Sequence, residues 1–344
     1  MQAVIAEADQ LVDDRGRRLS YDEPVSAIAW RGDEAWIGLG SGSIVVETPA
    51  DYRSMFAAHD GAILCAAPHP DGSGVLTGGD DGRLVLIRPD GTNSEFGNFG
   101  SLWVEHLAAS KESGIVVASA GRQAIVWPRG SHQAAHRFTY PSTVSGIALD
   151  AKGRRLAAAH YCGVTLNYAL AADGTPKPFF WAGSHLSCTF SPDSRFLISS
   201  LQETGLHGWV IATGHDMRMS GYRAKTRSFS WSMKGKWLAS SGDDAAIVWP
   251  FSGKDGPMGS SPVFMGPGGS IVTHVAFHPY DDVLAIGYAD GAVVIARMGE
   301  RGYIPVQQAG SQAIAALSWN ARGNCLAWGG EDGLGGIVDV ERAR

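Results

Sequence analysis

Residues 61–88, GAILCAAPHPDGSGVLTGGDDGRLVLIR, decide how this chain is read. Positions 62–67 are an apolar run of strand length, 68–72 (PHPDG) a turn, and 74–78 a second run. Asp80-Asp81-Gly82 then makes a tight turn into a third run, 83–88. Asp-Gly between two β-rich runs is the strongest short hairpin signal, because both turn residues tolerate positive φ. The same three-strand pattern recurs along the whole chain. First strands begin near Val25, Gly61, Trp103, Thr143, His185, Thr226, Ile271 and Ala313. The turns into third strands fall at Gly42, Gly82, Gly163, Gly205, Gly291 and Gly333, a period of about 42 residues. The string AIVWP occurs at both 124–128 and 246–250, each time at the third-strand place.

Between triplets lies a more polar fourth run, as at 53–57, 136–140, 179–182 and 303–307, which is how an outer edge strand should look. The last triplet leaves no room for such a run before Arg344, so a segment within 4–21 is expected to supply it and close a ring. Runs such as 115–118 and 284–288 lack polar alternation, so both of their faces are expected to be buried.

At 59–88 the residues resemble a WD40 repeat: His59, Pro70-Asp71-Gly72, Thr77-Gly78-Gly79-Asp80-Asp81-Gly82 and Ile87. The resemblance implies a β-propeller of four-stranded antiparallel blades. It also implies a buried network in each blade, joining a His before the first strand, a Ser or Thr in the second, an Asp in the turn and a Trp ending the third. No repeat here is complete. The second has Ile87 for Trp, the sixth has Ser240, Asp244 and Trp249 without the His, and the third has Ser119 and Trp127 without the Asp. The expected fold is all-β, with eight blades from the eight triplets; seven, the family's usual number, is the alternative. Residues 1–344 read as one domain, 1–24 supplying the closing strand and 25–344 eight repeats. Trp127, Trp209 and Trp249, near third-strand ends, are expected to be buried.

Composition excludes several classes. With 44% hydrophobic and 18% charged residues the chain is too apolar for disorder, and 45 Gly with 11 Trp suit many short strands and tight turns. A formal charge of −6 disfavours extended nucleic-acid binding. The first residues, with Glu7, Asp9, Asp13 and Asp14, carry no secretion signal, and no apolar run nears the roughly 20 residues of a membrane helix. Cys65, Cys162, Cys188 and Cys325 are scattered and read as small core residues, which favours the reducing cytoplasm. The compact length without extra domains suggests a small bacterial propeller.

Catalytic motifs are missing. There is no Gly-x-Ser-x-Gly, Gly-Lys-Ser or His-Glu-x-x-His. The acidic turns at Asp80-Asp81, Asp243-Asp244, Asp290 and Glu331-Asp332 recur in register, so turn geometry explains them. His160 with Cys162, His185 with Cys188 and His274 with His278 are the best metal-like pairs; the first could share a ligand if its strand stays extended. No metal or cofactor is expected. The reading is a non-catalytic scaffold for a protein or peptide, acidic ones included, with no nucleic acid and no membrane; a lactonase-like propeller hydrolase acting at the central channel is the alternative. Loops between blades and the turns into third strands should emerge at one end. There Trp103, Tyr140, Tyr161, Trp181, His185, Gln202, Tyr222, Arg223, Lys225 and Arg227 form the expected binding face, being aromatic, cationic and outside the repeat's own demands.

Overall fold

The computed structural model describes residues 10–171 and 173–341. Residues 1–9, part of the segment expected to close the ring, and 342–344 lie outside the described residues. Among the described residues the strands form seven antiparallel sheets, six of four strands and one of six. Seven sheets match the alternative of seven blades rather than the favoured eight. The reason lies in two strands, Arg155–Tyr168 and Lys177–Phe190, each 14 residues long.

Arg155–Tyr168 pairs through Leu156 to Ala159 with Gly146–Leu149, and through Gly163 to Leu166 with the start of Lys177–Phe190. Between those halves Cys162 has φ 66° and Gly163 φ 150°. Ala169 N donates to Arg154 O at 2.9 Å, and His160 Nε2 lies 2.8 Å from Thr165 Oγ1. A strand of this length extended at about 3.3 Å per residue could make neither contact, so the segment doubles back as a hairpin. Lys177–Phe190 likewise ends the fourth repeat and, through His185 to Phe190, pairs with Phe196–Leu201 of the fifth. Repeats four and five are therefore joined through this one strand, whose two halves pair with different partners on either side of an interruption at Trp181 to Gly183.

The quoted stretch folds as its pattern predicts, into Ile63–Pro68, Val75–Gly79 and Arg83–Ile87, joined at Gly82 with φ 79°. Val75–Gly79 is buried at every position, as is Val116–Ala120. Small residues there allow the sheets to approach: a Cβ on Gly78 would lie 2.6 Å from the Val104 carbonyl oxygen. The core is accordingly split into clusters lying between consecutive repeats. Ile44 and Val46 meet Ile63 and Val85 across repeats one and two, and Val164 and Phe179 meet Leu197 and Trp209 across four and five.

Closure uses the N-terminal segment. Gly16–Ser20 pairs antiparallel with Leu334–Asp339 as the outer strand of the last sheet. A short helix not foreseen in the sequence, Leu11–Arg15, precedes it and buries Val12 between repeats seven and eight. The closing strand is also tied to repeat one, because Arg17 pairs with the buried carboxylate of Glu47, which accepts a hydrogen bond from Tyr21 at 3.2 Å. Burial pushes the Glu47 carboxyl above its ordinary pKa, and Arg17 opposes the shift. Trp127, Trp209 and Trp249 are all buried.

Candidate functional site

Turns between second and third strands are bonded to the loop entering the next repeat, which puts both at one end of the ring. Gly42 O accepts from the amides of Ala58 and His59, Gly82 O from Phe99, and Gly121 O from Val144. At this end a depression of about 560 Å³ gathers Thr204 from the fifth repeat, Lys225 and Arg227 from the loop into the sixth, Ile271 from the loop into the seventh and Thr273 from its first strand, and Glu331 from the eighth. Lys225 and Arg227 are exposed and make no ion pair among the described residues.

The ten expected binding residues divide sharply. Trp103 and Tyr161 are exposed by 57% and 61%, and Gln202 is exposed as well; they stand on repeats three, four and five at the same end but do not border the depression. Arg223 is exposed yet already neutralised, its guanidinium reaching Asp243 at 2.9 Å and Asp244 at 2.7 Å. Trp181 is half-buried and stacked on His207, with centroids 3.9 Å apart.

Tyr140, His185 and Tyr222 are buried, and their placement on a binding face is corrected. Tyr222 accepts a hydrogen bond from Trp249 Nε1 at 2.8 Å and meets Ser240 Oγ at 2.7 Å. It occupies the place of the missing His. Tyr140 donates to Asn167 Oδ1 at 3.1 Å in the fourth repeat. His185 donates to the Trp181 carbonyl at 3.0 Å and meets Ser199 Oγ at 2.8 Å. Burial raises both tyrosine pKa values and lowers that of His185. A buried aromatic with a polar tip needs a partner inside the blade, and each of these has one.

The second repeat carries the network its residues imply. His59 donates from Nδ1 to Asp81 at 2.9 Å, and Thr77 Oγ1 lies 2.9 Å from Nε2. The metal-like pairs are otherwise engaged: His160 holds the Tyr161 carbonyl and Thr165, while the turn at Cys162 means that this segment does not stay extended. His274 donates to Ile314 O and His278 to Gly323 O. Among the described residues no three His, Cys, Asp or Glu side chains are grouped to hold a metal ion, and no helix is long and apolar enough to cross a membrane.

Sequence reasoning missed Thr204, Ile271 and Glu331. Glu331 repeats the position of Gln202 and Ile271 that of Lys225, so the register could have found these two, while Thr204 closes the same turn as Gln202.

Two family models match separate stretches: the WD domain, G-beta repeat, over residues 51–87, and the Anaphase-promoting complex subunit 4 WD40 domain over 275–344. No curated protein matches the sequence. Among solved structures the computationally designed Ika8 protein is similar, with a TM-score of 0.76 at 18% identity, covering 93% of this chain and 97% of that one. At that identity the likeness concerns the fold alone, and with 1851 solved chains matching, the fold selects no function. The two matches, the repeat register and the closed ring of antiparallel sheets together make this chain a WD40-repeat β-propeller.

Proposed function

We propose that the chain is a non-catalytic scaffold that binds a peptide segment of a partner protein at the end of the ring carrying the inter-repeat loops. The observation that carries this reading is the depression fed by repeats five to eight, in which Lys225 and Arg227 keep unpaired charges beside an apolar floor including Ile271 and Ala313. Two cations without internal partners suit an anionic group on the ligand. Glu331 on the same rim disfavours a uniformly acidic ligand, so the fitting segment pairs an acidic residue with apolar neighbours. Exposed Trp103 and Tyr161 extend the same end with side chains typical of binding hot spots.

The test is a displayed peptide library screened against the wild type and against Lys225→Glu/Arg227→Glu. Peptides selected by the wild type should carry acidic residues next to apolar ones and lose at least ten-fold in affinity on the variant, with the melting temperature unchanged. Equal retention by both proteins would remove this depression as the site.

A further inference from the structure

The opposite end of the ring carries the turns between first and second strands. Neighbouring turns are joined into one surface: Arg31 donates to Gly72 O at 3.3 Å, Arg155 to Ser194 O at 3.2 Å, His278 to Gly323 O at 3.0 Å, and Arg322 pairs with Asp33 at 2.8 Å. Its charge is divided in two. In repeats three to six, Asp150 is taken by Arg155 at 2.8 Å and Asp193 by Arg195. That leaves Lys111, Lys152, Arg154, Lys234 and Lys236 exposed, without an ion pair among the described residues, against Glu112 in the same turns and Asp173 and Asp255 in the neighbouring turns between third and fourth strands.

Repeats seven, eight, one and two reverse the sign. Arg322 takes Asp33, and Arg31 takes Glu34 at 3.3 Å. Asp71, Asp281 and Asp282 stay exposed with no lysine or arginine partner among the described residues; His69 meets Asp71, and His278 lies 3.7 Å from Asp281. One face of an acidic chain thus holds an excess of cations on one half and uncompensated carboxylates on the other.

We infer that two copies of this chain pair face to face through this end. A two-fold axis lying in the face, between repeats six and seven on one side and two and three on the other, turns a second copy so that its halves are exchanged. Repeat six then lies over seven, four over one and three over two. Lys234 and Lys236 meet Asp281 and Asp282, and Lys111 meets Asp71, while Lys152 and Arg154 lie over the turn of Asp33 and Glu34, whose carboxylates are already held by Arg322 and Arg31. Repeats five and eight also meet, and there Arg195 and Arg322 are each already neutralised within their own chain. The large exposed apolar side chains of these turns, Met233 at 55% and Tyr280 at 59%, lie on repeats six and seven, beside the axis, where the symmetry gathers them with their own copies. A self-complementary face is what an isologous interface requires. An acidic peptide or a nucleic acid would account for the cations alone and leave the acidic half opposed to nothing.

Sedimentation velocity on the whole chain tests this. The wild type should move as a dimer at about 50 mM salt and dissociate toward monomer near 0.5 M, where screening shortens the reach of these charges. Lys234→Glu/Lys236→Glu and Asp281→Lys/Asp282→Lys should each be monomeric at low salt with unchanged melting temperatures, and an equimolar mixture should recover the dimer. A monomeric wild type at about 100 µM and low salt would overturn the inference, including one that instead binds oligoglutamate or duplex DNA. So would a dimer that survives both reversals, or reversals that dissociate the dimer and are not rescued by mixing. None of these substitutions touches the loop-lined end.

Discussion

In the second repeat His59 reaches from the entering loop to Thr77 on the second strand and Asp81 in the turn, while Ile87, ending the third strand, takes no part. In the sixth repeat Tyr222 reaches from the same loop to Ser240 on the second strand and Trp249 at the end of the third, while the turn acids Asp243 and Asp244 are taken by Arg223. One network runs through the turn and carries charge; the other runs through the third strand and is neutral. What the fold demands is a polar link from the entering loop into the buried strands, and more than one set of side chains meets it. Repeat one adds a third solution, Tyr21 with Glu47 and Arg17, in which the link also binds the closing strand.

The largest effect should come from the neutral network. Trp249→Ala removes a buried aromatic packed against Phe196 and Met217, so a loss of about 3–5 kcal/mol is expected from urea unfolding. A loss under 1 kcal/mol would mean that Trp249 is no anchor and that the two networks do not differ as described.

The charged solution in repeat one should rank next. Arg17→Met leaves the Glu47 carboxylate buried without its cation, and because Arg17 keeps 29% exposure the cost should fall below the roughly 3–5 kcal/mol of a fully buried pair. Arg17→Met/Glu47→Leu should recover most of it, since an apolar pair leaves no charge stranded. If the double variant is as unstable as the single one, the pair is a packing element and not a charge latch.

Most of the strands were legible because Gly and Asp-Gly turns punctuate apolar runs at a fixed period, a local signal. The joining of repeats four and five through one strand was not, since it depends on how the chain passes Trp181 to Gly183, where the pairing is interrupted. The candidate site was half legible. Lys225, Arg227, Trp103 and Tyr161 are exposed, whereas Tyr140, His185 and Tyr222 were misplaced because an aromatic outside the repeat pattern looks like a contact residue until its partner is known. A signal for the two tyrosines was present. Tyr140 and Asn167 stand 27 residues apart, as do Tyr222 and Trp249, and Tyr21 and Glu47 are 26 apart, so the network could have been read from spacing.

The smallest effect separates the two networks by pH. Burial alone would raise the Asp81 carboxyl, but hydrogen bonds from His59, Arg83 and Asp60 outweigh it and hold its pKa below the ordinary 3.8. A carboxylate depressed in the folded state contributes stability that is present above the unfolded pKa and lost as pH falls through the folded one. Asp81→Asn should therefore destabilise at pH 7, and that penalty should shrink as pH falls below 3.8. Tyr222→Phe removes a neutral hydroxyl, leaves Trp249 Nε1 without its acceptor at about 1–3 kcal/mol, and should cost the same at both pH values. The background slope is shared: His106, His207 and His274 are pushed from 6.5 to about 4 by burial, so the unfolded chain binds more protons and stability falls for every variant between those values. That slope cancels in the difference between each variant and the wild type. Melting curves at pH 7 and 3 decide the matter: a penalty for Asp81→Asn that does not shrink in acid would mean that the turn carboxylate serves as a neutral hydrogen-bond acceptor, and the contrast between the charged and the neutral network would fail.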